Sequence, residues 1–167
     1  MMGGGNEFTG AQMHERRAAS VVDVTDLPAS LAEIRDDFLS FSEADRLQLL
    51  LEFSNELPPV ASTYLEHPEL LERVDECQSP VYIIAEVAPS GRVDVHVTAP
   101  AEAPTTRGFA SIIAQGLSGL DAAEVLAVPD DFALMLGLTG AVSPLRLNGM
   151  SGMLWRVKRQ VREKMAA

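Results

Sequence analysis

Two apolar runs separated by a short turn constrain the fold of this chain most strongly. The stretch SPVYIIAEV at residues 79–87 is rich in β-branched and aromatic residues, and in RVDVHVTA the residues Val93, Val95 and Val97 alternate with polar ones. The sequence APSG between the two runs is typical of a turn. The pattern therefore predicts a β-hairpin with one buried and one exposed face.

Helical periodicity lies on both sides of the hairpin. Ahead of it, apolar residues recur at spacings of three and four from Leu31 to Phe41, and a second helix over about residues 43–56 has Ser42 as its cap and Pro58-Pro59 as its stop. After it, four helices are predicted: TRGFASIIAQGLSG, closed by Gly119; a helix capped by Asp121; a short helix that begins at Pro129; and a long one that begins at Ser143-Pro144.

This order of elements predicts the fold class. Two helices, a hairpin and further helices are typical of an α+β fold, in which helices pack on one face of a small antiparallel sheet. Residues 1–25 are rich in Gly, Ala and charge without apolar periodicity, which indicates a flexible arm. We therefore expect one domain, residues 26–167.

Composition disfavours several classes of function. The net charge is −11 at pH 7 and the sequence pI is about 4.6, which disfavours binding to nucleic acid or to an anionic membrane surface. No apolar run approaches the roughly 18–20 residues that span a bilayer, and the N-terminus lacks the apolar segment of a secretory signal. With one cysteine in the chain, these observations favour a cytoplasmic protein.

The single cysteine, Cys77, lies in VDECQSPV between a polar turn and the first predicted strand. Two interpretations stay open on the residues alone: a buried, inert thiol, or a reactive thiol on a loop. A Cys–His hydrolase is weakly supported, since neither His67 nor His96 has a recognisable signature around it. The three histidines, of which His14 is the first, have no metal-ligand spacing with Cys77, so no metal is expected.

Several cations lie at the ends of predicted helices, where the helix dipole acts on their charge. Arg107 and Arg146 lie in the first turns of predicted helices, where the helix dipole disfavours positive charge, so each is held by an acid or serves a site. The final turns of the last helix carry five cations, which form either a solvated face or a surface for an acidic partner: Arg156, Lys158, Arg159, Arg162 and Lys164.

Four motifs, taken in order, resemble a known family. CQSPVYI, RGFASII, DDFALMLGL and SPLRLNGM precede a basic C-terminal helix, and this succession resembles the SufE family of sulfur acceptors. The likeness covers about residues 27–163. It implies a compact α+β fold similar to the IscU scaffold.

The resemblance also implies a function. Cys77 matches the family's acceptor cysteine, which takes sulfane sulfur from the persulfide of a PLP-dependent cysteine desulfurase of the SufS type. The carrier activates that enzyme, is not an enzyme itself, holds no cofactor, and passes sulfur to a scaffold for iron–sulfur cluster assembly. Arg146 matches an arginine close to the cysteine, and Gln78 and Ser79 complete the CQS motif. Cys77 is expected to point inward in the free protein and to turn outward on docking.

The chain departs from the family pattern at two places. Many relatives have glycine where this chain has Glu76. Many also have an aspartate-rich loop after the hairpin, where this chain has APAEAP with Glu102 as its one acid. We predict that Glu76, Glu102 and Arg107, the first residue of RGFASII, belong to the loop region that faces the partner.

Two rival hypotheses come from other functional classes. In the first, a SufE-like domain docks a partner and regulates it while the cysteine is merely structural. In the second, the chain is itself a cluster scaffold, but one cysteine and no clustered histidines offer too few ligands without oligomerisation.

Overall fold

The predicted hairpin supplies two strands of a three-stranded antiparallel sheet. A computed structural model describes residues 27–167. Strand β2, Tyr82–Val87, pairs with β3, Val93–Thr98, and Gly91 supplies the positive φ of +90° in the turn. A short strand β1, Glu72–Arg73, pairs with the outer edge of β2 to give the order β1-β2-β3. The arm predicted for residues 1–25 lies outside the described residues.

Six α-helices are described around this sheet, and three of them begin at the cap that the sequence predicts. They are α1, Ala29–Leu39; α2, Glu43–Asn55; α3, Ser62–Glu66; α4, Pro104–Leu117; α5, Ala122–Ala127; and α6, Pro144–Ala166. Ser42 and Ser143 accept hydrogen bonds from the backbone three residues on, and Asp121 forms a capping box with Glu124. Short 3-10 turns cover Pro68–Leu70 and Phe132–Leu136.

The helix predicted to begin at Pro129 is wrong in type and start. The structure has a 3-10 helix that begins at Phe132 instead. Two anchors limit this segment, because Lys158 binds Asp130 on one side and Gly137 adopts a left-handed φ of +66° on the other. Six residues, 131–136, lie between these anchors, and 3-10 turns are common in connecting segments as short as this one.

The core lies between the sheet and the helices. Val93, Val95 and Val97 face inward as predicted, level with Ile83 and Ala85 of β2. Helix α4 packs on β3, helix α6 packs on β2, and helices α1 and α2 cover the far side of α4. The α+β fold with helices on one sheet face is thereby confirmed. None of the helices within residues 27–167 is long and apolar enough to cross a membrane.

The outer face of the sheet carries a small polar cluster. Tyr64 of α3 is 8 % exposed, and its hydroxyl donates to Glu86 Oε1 at 2.8 Å. Its ring lies 5.1 Å from that of His96, whose Nε2 is 2.7 Å from the same carboxylate oxygen. The His96 side chain therefore contacts Tyr64 and Glu86 on the sheet face opposite to the core.

The cations of α6 are used mainly inside the fold, which neither interpretation of them anticipated. Lys158 is 6 % exposed, and its ammonium donates to the carbonyl of Val128 at 2.7 Å and to Asp130 at 2.8 Å. Of the five, four bond to groups of this fold: Arg156, Lys158, Arg159 and Lys164. The solvated-face interpretation is therefore wrong for Arg156 and Lys158, which are buried, while Arg162 and Lys164 are exposed.

Candidate functional site

Cys77 lies in a closed loop whose ends are fixed in the core. We call residues 74–81 the cysteine loop. The N–H of Val74 donates to the carbonyl of Val81 at 2.9 Å, and both side chains are fully buried. The N–H of Cys77 donates to the carbonyl of Val74 at 3.1 Å, which turns the chain back. The Cys77 side chain points inward and the residue is 7 % exposed, so the thiol lies against the core.

Two glycines of α6 make room for this loop. A Cβ at Gly149 would lie 2.9 Å from Cys77 Sγ, and a Cβ at Gly152 would lie 2.5 Å from Glu76 Oε2. Both separations are shorter than packed atoms allow, so larger residues would displace the loop or the helix. The signal in the sequence is two glycines three residues apart, which places them on one helical face. Sequence reasoning did not single them out.

A pocket of about 170 Å³ opens beside the thiol. Three segments line it: residues 76–79 of the cysteine loop, residues 102–106 after the hairpin, and residues 145–149 in the first turns of α6. The structure thus brings together six of the seven residues proposed for the site, namely Glu76, Cys77, Gln78, Ser79, Glu102 and Arg146. These residues come from motifs far apart in the chain.

Arg107 is the proposed site residue that does not line the pocket. Its Nε donates to the carbonyl of Ser54 at 3.0 Å, and its Nη1 donates to the carbonyl of Ala99 at 2.6 Å. These bonds tie the end of α2 and the end of β3 to the start of α4. Arg107 is therefore held by backbone carbonyls, and the acid predicted to hold it is absent from the described residues around it.

Arg146 is exposed on the rim of the pocket. Its backbone N–H completes the Ser143 cap, and its guanidinium pairs with no acid within the described part of the chain. The prediction that an acid holds Arg146 is therefore wrong within residues 27–167. A free cation at this position can contact an anionic group that enters the pocket.

Burial makes Cys77 a poor thiolate in the free protein. Loss of solvent raises the pKa of its thiol to about 11, and the Glu76 carboxylate contributes to this rise, while the charges of Arg156 and Arg73 oppose it. The cations that lower the pKa of the thiol are Arg156 and Arg73, and Arg146 is not among them.

Arg156 is the main site residue that sequence reasoning missed. It is 5 % exposed, its Nε donates to the carbonyl of Arg73 at 3.0 Å, and its guanidinium pairs with three carboxylates, those of Glu72, Asp75 and Glu76. The sequence placed Arg156 in a run of cations and gave no signal for a partner 80 residues away. The buried arginine therefore joins α6 to the cysteine loop.

The sequence and the fold were compared with those of known proteins. A family model described as SufE, Fe-S metabolism associated domain, matches residues 32–161. This match spans most of the chain. The chain belongs to the SufE family. Membership in the SufE family associates it with sulfur transfer in iron–sulfur metabolism.

Individual SufE-like relatives agree with that assignment. An uncharacterized SufE-like protein of Mycobacterium tuberculosis is 54 % identical over 137 residues, which cover 82 % of this chain and 94 % of the relative. SufE-like protein 1, chloroplastic/mitochondrial, of Arabidopsis thaliana is 31 % identical over 132 residues, which cover 78 % of this chain and 34 % of that protein.

A solved structure shares the fold. The solution structure of a hypothetical protein from Thermus thermophilus superposes with a TM-score of 0.73 at 35 % identity, covering 84 % of this chain and 99 % of that one. The SufE-family fold described above is therefore also an experimentally observed one.

Within residues 27–167, neither His67 nor His96 completes a hydrolytic or metal site around Cys77. His67 is exposed and lies 3.0 Å from Glu69, and His96 is on the outer sheet face with Glu86. Neither lines the Cys77 pocket. Within residues 27–167, no three His, Cys, Asp or Glu side chains are grouped so as to hold a metal ion.

Proposed function

We propose that this protein is a sulfur carrier that accepts the terminal sulfur of a desulfurase persulfide on Cys77. The donor is a PLP-dependent cysteine desulfurase of the SufS type, whose turnover the carrier stimulates. The carrier then delivers the sulfur to a scaffold for iron–sulfur cluster assembly. The protein works in the cytoplasm, where a lone thiol stays reduced.

One observation carries the proposal most strongly. The single thiol of the chain sits at the wall of a pocket of about 170 Å³ whose lining comes from two of the family's four motifs and from the loop after the hairpin. A merely packed cysteine has no need for a neighbouring cavity or for a free guanidinium at its rim. This arrangement supports a thiol that receives a small group and shelters it.

The chemistry is a thiol–persulfide exchange without net oxidation. The Cys77 thiolate attacks the terminal sulfur of the desulfurase persulfide, and a new S–S bond forms between that sulfur and Cys77 Sγ. The bond between the terminal sulfur and the desulfurase cysteine breaks, and the electron pair leaves with the desulfurase thiolate. The proton lost by Cys77 balances the one gained by the leaving thiolate.

The free protein protects its thiol and must open to react. With a pKa of about 11, roughly one thiol in ten thousand is ionised at neutral pH. Docking on the desulfurase therefore turns the cysteine loop outward, which restores solvent and removes the main cause of the raised pKa. On return, the pocket shields the persulfide from reductants and oxidants.

The rim residues have proposed roles in the docked complex. Arg146, exposed beside the pocket, stabilises the thiolate or the persulfide anion when the loop turns outward. Gln78, Ser79 and Glu102 present polar groups at the pocket mouth, where the desulfurase contacts the carrier. Arg107 acts indirectly, because its hydrogen bond to the carbonyl of Ala99 fixes the start of the segment that carries Glu102.

Sulfide release by a cognate desulfurase tests the proposal. With cysteine as substrate and a thiol reductant present, the wild-type protein is expected to raise sulfide release several-fold, and Cys77→Ser is expected to abolish the gain. Ser keeps the size of the side chain, so the unfolding midpoint serves as the control for folding. Failure of the wild-type protein to stimulate any cognate desulfurase would contradict the proposal.

A second function is favoured by the burial of Cys77 among core residues. In this alternative the domain docks a partner and regulates it, and the thiol only packs. The Cys77→Ala variant separates the two functions. Retained stimulation by Cys77→Ala supports the regulatory module, and lost stimulation with retained binding to the desulfurase supports the carrier.

A further inference from the structure

Arg156 is a buried cation whose bonds converge on the cysteine loop. Its Nη1 donates to Glu76 Oε2 at 2.5 Å and to the carbonyl of Gly152 at 3.3 Å, and its Nε lies 3.1 Å from Glu72 Oε2. The guanidinium is thus fixed to its own helix and to β1. Its bond to Glu76 reaches the residue directly before Cys77 in the chain.

This ion pair determines where the thiol lies. Glu76 and Cys77 are adjacent, and each approaches α6 over a glycine, Gly152 and Gly149 respectively. When the Glu76 carboxylate is bound to Arg156, the backbone at Cys77 is held against the helix with Sγ turned inward. When that bond breaks, what remains is the turn bond from Cys77 N–H to the Val74 carbonyl, the 3.6 Å approach of exposed Asp75 to Arg156, and the buried ends of the loop.

We propose that Arg156 is a positioning residue for sulfur transfer, which holds Cys77 inward through Glu76 and must release Glu76 before the thiol turns outward. The outward state matters for function only if the proposed carrier role is correct, so that part of the inference rests on the proposed function. The inward restraint itself is a property of the free protein.

The exposure of the partners makes such release feasible. The Glu76 side chain is 33 % exposed, so its carboxylate regains water as soon as it moves away. Arg156 is 6 % exposed at its side chain but keeps Glu72 and the carbonyl of Arg73 when Glu76 leaves. Opening the loop therefore leaves no charge buried without a partner, which is the usual cost of breaking a buried pair.

Alkylation of the free protein separates this restraint from a simple charge effect. The charge of Arg156 lowers the pKa of the thiol, so loss of that charge alone makes Cys77 less ionised and slower to alkylate. Loss of the restraint exposes the thiol and makes alkylation faster. The two effects of Arg156→Gln have opposite signs, so the direction of change identifies the mechanism.

We expect Arg156→Gln to alkylate with iodoacetamide about tenfold faster or more than wild type, since a hydrogen bond to a charged group is worth at least that factor in population. Lys158→Gln is the matched control, because Lys158 is equally buried on the same helix but binds Asp130 and Val128. A rate for Arg156→Gln at or below wild type, or an equal gain in Lys158→Gln, would overturn the proposal.

A second pair of variants keeps the test decisive if Arg156→Gln fails to fold. Glu76→Ala removes the restraint but leaves Arg156 paired with Glu72, and Asp75→Ala is its control, since the Asp75 side chain is 79 % exposed and 3.6 Å from Arg156. Hydrogen exchange of the Cys77 amide, which does not depend on ionisation of the thiol, is expected to accelerate about tenfold in Glu76→Ala and less than about twofold in Asp75→Ala. Equal exchange in both variants would count against the restraint.

The desulfurase assay shows whether the restraint serves sulfur transfer. A variant whose loop is already released needs less carrier for half-maximal stimulation, by up to the same factor as the gain in alkylation. If wild-type protein does not stimulate a desulfurase, the carrier role fails while the alkylation result still decides the restraint. If stimulation is normal and alkylation unchanged in Arg156→Gln, the restraint fails and the carrier role stands.

Discussion

At the scale of single residues, the molecule keeps its one thiol available but unreactive. Cys77 is 7 % exposed, has an acid at the preceding position, and lies beside a pocket of about 170 Å³. Burial and the Glu76 charge both raise the pKa and so favour the protonated thiol. In the proposed carrier function, the site separates storage, in which the thiol is protonated, from reaction, in which it must be exposed and ionised.

The pH dependence of alkylation tests this separation. The Cys77 pKa is about 11 in the folded protein against 9.0 for an unperturbed thiol, so alkylation of the native protein is expected to rise with pH up to about 11. Below about pH 9 the thiolate fraction alone makes it about 100-fold slower than a peptide spanning residues 74–81. The measurement is the rate constant with iodoacetamide between about pH 7 and 10. Equal rates for protein and peptide would refute the inward thiol.

Sequence alone predicted much of the site at this scale, but not its electrostatics. Cys77, Arg146 and the CQS motif are local signals, and the structure gathers them at one pocket. The role of Arg156 was hidden, because a buried pair across 80 residues depends on how α6 packs against the loop. Local sequence carries no record of that packing.

At the scale of elements, one stripe of α6 makes contact with the cysteine loop and its pocket. Arg146 and Gly149 line the pocket, Gly152 leaves space for the Glu76 side chain, and Arg156 binds the Glu76 carboxylate. Spacings of three and four residues place these positions along one side of the helix. A single helix therefore supplies the rim cation, the space for the thiol and the buried restraint.

Substitution of Gly149 tests the close approach of this helix. Alanine normally stabilises a helix interior by about 1 kcal/mol relative to glycine, but a Cβ at position 149 would lie 2.9 Å from Cys77 Sγ. We expect Gly149→Ala to displace the thiol and to lose that gain in the free energy of unfolding. In a Cys77→Ala background, where Sγ is gone, the gain should reappear.

Chemical denaturation of the four proteins in this cycle measures the coupling. Gly152→Ala is the control, because its Cβ would meet Glu76 instead, and its effect should not depend on Cys77. An identical effect of Gly149→Ala in both backgrounds would show that the thiol does not pack on the helix as described.

Elements were predictable to the extent that their signals are local. The caps of α2, α5 and α6 follow from Ser42, Asp121 and Ser143, and the hairpin follows from alternation and its turn. Strand β1 was missed, because two residues carry no alternation and Glu72–Arg73 pairs only because the cysteine loop folds back. Phe41 was assigned to the face of α1, but the helix ends at Leu39 and Phe41 is 46 % exposed.

At the scale of the whole molecule, the fold anchors both ends of the cysteine loop. Val74 and Val81 are anchored in a core shared by the sheet and α6, so the segment between them can move without unfolding the rest. The chain as a whole is acidic, with a net charge of −11. Under the proposed carrier function, the desulfurase surface that docks here should therefore offer positive charge.

The central claim is that Cys77 carries sulfur, and intact mass spectrometry tests it most directly. The full-length protein is incubated with a cognate desulfurase, PLP and cysteine, and its mass is then measured without reductant. We expect the mass of the intact protein to increase by about 32 Da, the mass of one sulfur atom, and we expect no increase in Cys77→Ser. An unchanged mass with an active desulfurase, or an equal increase in Cys77→Ser, would contradict it.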